Sequence, residues 1–273
     1  MKDNLIFMHL PKCGGTTFHS ILERMYLPKN TFDIRVIDNI RLNTQDFINL
    51  PQQEREKIKL LKGHIEFGLH KHLYGNTRYI TFLRNPIERI ISYYYYVKRR
   101  PNHRLYQLNL FTENMTLYDF VTEIDQGDIN NGQIRFISGI QDNKERMLDK
   151  AFENIEKHFS FIGTIEKFDE SLIFLQKMYG WSTPYYKVEN KTVGRPELNS
   201  IDKKTIAAIE HFNTEDIALY NQMSMILETK LTKESSLSQN LLKRTRLSKI
   251  DYYKEETQRH ILLMARKLIP KMP

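Results

Sequence analysis

The sequence predicts an α/β fold with a mainly parallel central sheet flanked by helices, and three observations predict it. Short apolar runs rich in β-branched and aromatic residues alternate with longer segments of helical periodicity along the 273 residues. Two of these runs lead straight into turns that open helices, the arrangement that sets ligands at the carboxyl ends of parallel strands. The composition, 40% hydrophobic and 27% charged, is that of an ordinary soluble globular chain long enough to bury one substantial core.

The first strand, 4–10, ends in Pro11-Lys12-Cys13-Gly14-Gly15-Thr16-Thr17-Phe18 and opens a helix near 16–26. Two glycines let the backbone approach an anion closely. The following N–H groups point at it with the helix dipole behind them, and Lys12, Thr16 and Thr17 supply further donors. Read alone, Gly-Gly-Thr is a strand-to-helix turn with threonine for capping. The nucleoside-triphosphate loop, G-x-x-x-x-G-K-[ST], carries its lysine after the glycines; here the lysine precedes them. Cys13 sits where a thiolate could be stabilised, but reads first as a small filler residue.

Strands at 33–37 and 58–62 follow, with a helix near 44–57 between them. A fourth strand, 79–83, ends at Arg84; Asn85 is a helix N-cap and Pro86 suits the first turn of a helix over 86–98. Ser92 lies seven residues beyond Asn85, so both share one helix face with Arg84 just before it. An arginine with a hydroxyl suits a phosphate, although singly Arg84 reads as an ion-pair partner and Ser92 as a solvated helix residue. The run Tyr93 to Tyr96 wraps most of the helix, so some rings are core and one or two line a cleft. Helices near 116–125 and 145–157, a strand at 159–165, and helices near 168–179 and 201–228 complete the alternation. The polar or Pro/Gly-bearing stretches 99–114, 182–200 and 232–250 are expected to be flexible. There is no internal repeat. One domain, 1–230, is followed by a basic, partly helical tail, 231–273.

Together the two anion motifs resemble the sulfotransferases that use 3′-phosphoadenosine 5′-phosphosulfate (PAPS), in particular the heparan sulfate 2-O-sulfotransferase branch and its bacterial relatives. The resemblance implies a P-loop-like phosphosulfate-binding strand–loop–helix formed by Lys12, Cys13, Gly14, Gly15, Thr16 and Thr17, and a 3′-phosphate site at Arg84 and Ser92. Lys62-Gly63-His64-Ile65-Glu66-Phe67-Gly68 is similar to the family's Gly-His segment, whose histidine is the catalytic base. Asn190-Lys191-Thr192-Val193-Gly194-Arg195-Pro196 is similar to a late loop that closes over the nucleotide, which gives Asn190, Lys191 and Arg195 a cofactor-binding role. With Asn131 to Gly139 and Phe161 to Phe168 the likeness covers roughly residues 4 to 200. One departure concerns the acceptor side: the 2-O-sulfotransferases carry a second histidine two positions before the base, where this chain has Lys62.

Sulfuryl transfer to an alcohol or phenol requires in-line attack, stabilisation of charge on the leaving phosphate, and removal of the acceptor proton. Lys12 is assigned to the leaving oxygen and His64 to general base catalysis, worth typically ~10²–10⁴-fold. Glu66 is the alternative base or an acceptor contact, and Arg135 orients an anionic acceptor or forms a structural ion pair. His64, His70 and His72 lack a well-spaced fourth ligand, so no metal is expected. The acceptor bears a hydroxyl, with a glycan favoured over a protein tyrosine. A nucleotide-dependent kinase would need a Lys-Ser/Thr after the glycines and an acidic magnesium ligand; a silent PAPS-binding protein would not need both Lys12 and His64.

The single cysteine suits a reducing compartment. Neither a signal peptide nor an apolar run of ~20 residues is evident, so a bacterial cytoplasmic location is expected. Of the net charge of +8, the tail holds +6, with ten Lys and Arg against four Asp and Glu. Its segment His260 to Pro270 sets Ile261, Met264, Ala265 and Leu268 on one helical face. Docking onto the domain or a second subunit ranks first among its readings and an anionic membrane surface second. Nucleic acid is a distant third and is not expected as a partner, since no recognition motif or aromatic interleaving accompanies the charge.

Overall fold

β1 (Asn4–Met8) is apolar along almost its whole length because both of its faces are covered, as parallel sheets require. The computed structural model describes residues 3–34, 36–37, 40–125, 127–182, 184–187, 196–233, 246–247 and 251–258. Four further strands join β1: β2 (Thr31–Ile34), β3 (Leu60–Gly63), β4 (Thr77–Leu83) and β5 (Phe159–Thr164). They lie in the order β2-β3-β1-β4-β5, every neighbour parallel. The period-two alternation of β1 divides the core: Leu5 and Phe7 pack with Phe18, Ile21, Leu22 and Leu172, while Ile6 and Met8 pack with Leu61, Tyr79, Ile134 and Leu219.

The helices are α1 (Gly15–Met25), α2 (Thr44–Ile48), α3 (Pro86–Lys98), α4 (Leu117–Thr122), α5 (Gly132–Ser138), α6 (Lys144–His158), α7 (Phe168–Tyr179), α8 (Lys203–Phe212) and α9 (Thr214–Thr232). A third apolar cluster joins α3, α4 and α8 through Ile90, Ile91, Tyr94, Phe120 and Ile209. No helix among the described residues is long and apolar enough to cross a membrane.

The predicted strands recur with ends shifted by one to three residues; the second, expected at 33–37, is Thr31–Ile34, and Val36–Ile37 pairs separately with Ile40–Arg41. The helix expected at 44–57 is two short pieces, because Pro51 breaks it and Gln52–Arg55 resumes as one turn. The helix expected at 201–228 is α8 and α9, divided at Asn213. Residues 99–114, expected as flexible, hold the helical turn Arg104–Gln107 and are anchored by buried Leu105 and Phe111. α5 was not predicted as a helix.

Because β1 lies between β3 and β4, the chain leaves it toward one side of the sheet and returns on the other, which opens a crevice at the carboxyl ends of these three strands. Their first residues beyond the sheet are His9, His64 and Arg84.

A buried polar knot holds the helices above this crevice. The Asp216 carboxylate accepts from the Gln133 N–H (3.0 Å) and the Ile134 N–H (2.8 Å) at the start of α5, and faces Arg89 Nη2 at 3.5 Å. Asn131 Oδ1 accepts from the Glu215 and Asp216 N–H groups at 3.0 and 3.1 Å, so the starts of α5 and α9 cap each other. Arg89, fully buried, also donates through Nη1 to the Asp128 carbonyl (2.8 Å). Burial pushes the Asp216 carboxyl up, against the opposing pull of Arg89 and the two N–H groups.

Asp216→Ala leaves the Arg89 charge buried without its carboxylate and should lower the unfolding free energy by about 3–5 kcal/mol, read as a fall in the urea midpoint. Lys157→Ala, which removes an exposed pair with Glu153, should leave the midpoint unchanged. Equal midpoints for the two variants would refute the structural role given to the knot.

Candidate active site

The loop after β1 is shaped by two unusual conformations. Lys12 has φ 66°, in the left-handed region that a side chain rarely adopts, and Gly14 has φ 69° as the N-cap of α1. Gly14 brings no capping side chain to the first N–H groups of α1, which leaves them for an anion. A Cβ at Gly14 would overlap Ile165, and one at Gly15 would overlap the His9 imidazole. Thr16 is exposed at the helix start, with Thr17 half-buried beside it.

Arg84 ties the second motif to this loop. Its Nη1 donates to the Lys12 carbonyl (3.3 Å), and its Nη2 faces Glu88 Oε2 at 3.4 Å. The Arg84 main chain is held by one side chain: Gln133 Oε1 accepts from its N–H (2.9 Å), and Gln133 Nε2 donates to its carbonyl (3.0 Å). The same Oε1 accepts from the Cys13 thiol at 3.4 Å. Cys13 is therefore a core residue. Its N–H already donates to the Leu10 carbonyl and burial pushes its thiol up to about 12, which corrects the expectation that it contacts a cofactor. Asn85 caps α3 as predicted, accepting from the Glu88 N–H at 3.2 Å, and Ser92 lies two turns along that face, buried.

The ammonium of Lys12 sits 3.9 Å from the centre of the Tyr96 ring, a cation–π contact that holds it over the loop. Burial, then Arg84, Arg100 and Arg99, brings Lys12 down to about 8. Of the tyrosine run, Tyr93 and Tyr94 are core, and Tyr96 faces the site.

On the other side of β1, Gly63 has φ 142°, and a Cβ there would overlap the Ile34 carbonyl of β2. The turn it permits lifts His64 out of the sheet and over His9. His64 Nδ1 lies 2.9 Å from the His9 carbonyl, and a carbonyl only accepts, so Nδ1 carries the proton and Nε2 is the accepting nitrogen of the neutral ring. The ring is exposed and stacks on the His9 ring, with centroids 4.3 Å apart and planes 23° from parallel. Glu66 is also exposed, two residues on, with Ile65 buried between them. Lys62 is elsewhere: 1% exposed, its ammonium pairs with Glu23 and Asp33, each at 2.7 Å.

The remaining expected residues divide. Arg135 Nε donates to the Asn130 carbonyl (2.8 Å) and closes the 127–130 turn, the structural alternative weighed for it, through a main-chain carbonyl instead of an ion pair. His70 turns to Tyr79 and His158 and does not join His64 and His72 as a metal cluster. Asn190, Lys191 and Arg195 lie outside the described residues. Sequence reasoning missed His9, Gln133, Tyr96 and Glu88; the stretch containing Gln133 carries the family likeness, but nothing in its residue pattern distinguishes this glutamine from a surface one.

Beside Thr16 and Thr17 opens a cavity of about 210 Å³, lined also by Ser20, Arg24, Lys187 and Tyr252. Its far wall comes from the tail, where 251–258 is helical. Arg24 Nη1 donates to Tyr252 Oη (3.3 Å) and faces Glu256 at 3.6 Å, while Tyr185 Oη donates to the same carboxylate at 2.9 Å.

The chain matches the family model described as the sulfotransferase family over residues 1–223. It is 33% identical over 96 residues to a protein-tyrosine sulfotransferase of Arabidopsis thaliana, covering 34% of this chain and 17% of that one. It is 24% identical over 196 residues to a heparin sulfate O-sulfotransferase of Drosophila melanogaster, covering 63% and 55%. The heparan sulfate 2-O-sulfotransferase hst-2 of Caenorhabditis elegans shares 27% over 111 residues, 37% of this chain and 34% of the relative. The matches thus span less than two thirds of each relative's length. Mouse sulfotransferase SULT7A1, solved in complex with PAP, superposes with a TM-score of 0.45 at 13% identity, covering 83% of this chain and 88% of that chain. With a family model covering most of its length and the loop, Gly-His and Arg-Asn-Pro segments all gathered at the carboxyl ends of three adjacent strands, the chain belongs to the sulfotransferase family.

Proposed function

We propose that the chain transfers a sulfuryl group from PAPS to a hydroxyl acceptor, a glycan in preference to a peptide tyrosine, by in-line displacement. One observation carries this reading: a lysine-bearing anion loop, an arginine-bearing helix start and an exposed histidine lie at the ends of three adjacent parallel strands. The acceptor oxygen attacks sulfur as the bond from sulfur to the 5′-phosphate oxygen breaks. Its proton passes to His64 Nε2, and the departing oxygen keeps the electron pair beside Lys12 and the first N–H groups of α1. Arg84 and Ser92 take the 3′-phosphate, with Asn190, Lys191 and Arg195 proposed to close over the nucleotide. Two of the relatives above are named for heparan or heparin sulfate, and one of them aligns over the longest stretch, which favours a glycan. The single buried cysteine suits a reducing compartment such as a bacterial cytoplasm.

The 3′-phosphate site gives the first test. 3′-Phosphoadenosine 5′-phosphate should bind far better than AMP. Arg84→Ala should weaken it by roughly tenfold or more, the worth of a charge-assisted contact of about 1.5–3 kcal/mol, while AMP affinity barely changes. Glu88→Gln should tighten it, since Glu88 faces the arginine that the phosphate needs. Calorimetry decides, and equal affinities for the two nucleotides would rule out the site.

Lys12 makes the same binding depend on pH. With its pKa brought down to about 8, the ammonium that an anion requires is lost as pH rises past that value. With the ligand's phosphates fully ionised above pH ~7, affinity should be level from there to pH ~8 and fall above it, and the fall should vanish in Lys12→Ala. A wild-type profile flat to pH 10 would remove Lys12 from the anion site.

For the chemical step, His64→Ala should lose ~10²–10⁴-fold in kcat with nucleotide affinity near wild type, whereas Glu66→Ala should keep most of it. The reverse pattern would make Glu66 the base.

A further inference from the structure

Behind His64 a line of polar side chains runs into the core. The His9 ring is held between His64 and Gly15, and its Nδ1 lies 3.1 Å from Nε2 of His19, which is 3% exposed on α1. Nδ1 of His19 faces Asp33 Oδ1 of β2 at 4.0 Å, and the other Asp33 oxygen holds Lys62 at 2.7 Å. Phe7 packs edge-on against His19 and stacks with His9, so the two imidazoles meet in an apolar wall. A packing role alone would be met by aliphatic or phenyl side chains; two imidazoles in nitrogen-to-nitrogen contact beside a carboxylate bring a hydrogen-bond direction as well.

We propose that His9 and His19 are positioning residues for the base, a reading that rests on His64 being that base. At 4.0 Å the Asp33 carboxylate acts on His19 through its charge and not through a hydrogen bond, and that charge favours the proton on Nδ1, which leaves His19 Nε2 as an acceptor. His9 then donates from Nδ1, is neutral, and has no second proton. Its π-face lies against His64 and its own carbonyl accepts the His64 Nδ1–H. When His64 takes the acceptor proton, the imidazolium forms against a neutral ring and an accepting carbonyl, both of which favour a cation. His9 thus orients His64 in the ground state and favours its protonated form as transfer proceeds, with His19 and Asp33 fixing the tautomer that makes this so.

The test combines nitrogen NMR of the imidazoles with kinetics on the full chain. In the wild type His9 should appear as the neutral Nδ1–H tautomer and His64 as Nδ1–H. In His19→Leu the His9 signal should become a mixture of tautomers. His19→Leu and His9→Leu should each lose at least tenfold in kcat with affinity for 3′-phosphoadenosine 5′-phosphate within twofold of wild type. His19→Gln, whose amide oxygen can accept from His9, should recover to within about threefold. His9 found as the Nε2–H tautomer in the wild type would overturn the proposal. So would wild-type kcat in both leucine variants when His64→Ala is inactive. A His64→Ala variant with normal kcat would instead remove the base assignment on which the proposal rests, a result distinguishable from the other two.

Discussion

The side-chain amide of Gln133 is the interaction on which the site depends. It bonds both main-chain groups of Arg84 and the thiol of Cys13, so a single planar group sets the spacing between the turn after β4 and the turn after β1. Its own backbone is fixed in turn by Asp216, and through Asp216 and Asn131 the start of α9 is coupled to the start of α5. Burying a carboxylate, a guanidinium and two asparagines is costly unless each is paired, and their mutual bonding offsets that cost only in one arrangement. Geometric uniqueness, more than stability, is what such a knot supplies to two loops that must grip one ligand.

Lys12 is brought down first by burial and then by the charges of Arg84, Arg100 and Arg99 around it, a crowding of cations that costs free energy. The protein relieves it locally. Tyr96 presents its π-face to Lys12, Glu88 faces Arg84, and the Lys12 carbonyl accepts from the Arg84 guanidinium. Each of these partners is weaker for a cation than a doubly charged phosphate would be, so an anionic ligand can displace them with a net gain.

Much of this was legible in the residue pattern. The strands were readable because parallel strands buried on both faces are short apolar runs, and α3 because cap, proline and periodicity agreed. The breaks at Pro51 and Asn213 were harder. The segment after Pro51 is polar but helix-favouring, whereas the apolar periodicity runs on across Asn213, where the reason for the break is tertiary: its side chain accepts from the Asn131 N–H, 82 positions earlier. α5 escaped notice because it has seven residues and starts from a left-handed asparagine with no local capping signature. The anion loop and the Gly-His turn were visible as motifs. What could not be read was which neighbours they acquire, since Gln133, Tyr96 and His9 reach the site only through strand order.

His9 shows why strand order matters more here than sequence spacing. The sequence separates it from His64 by 55 positions, yet β1 and β3 pair in parallel with Met8 opposite Gly63, so the next residue of each strand emerges at the same level of the sheet. Gly63 then turns its strand inward at a φ open to glycine, and the two imidazoles stack. Lys62, one residue earlier, still obeys the pleat and projects between α1 and β2, where Glu23 of α1 and Asp33 of β2 neutralise it. The sheet's alternation therefore assigns neighbouring residues of one motif to different work. Lys62 ties the β2 edge to α1, and His64, freed from the alternation by glycine, faces the crevice between the anion loop and solvent.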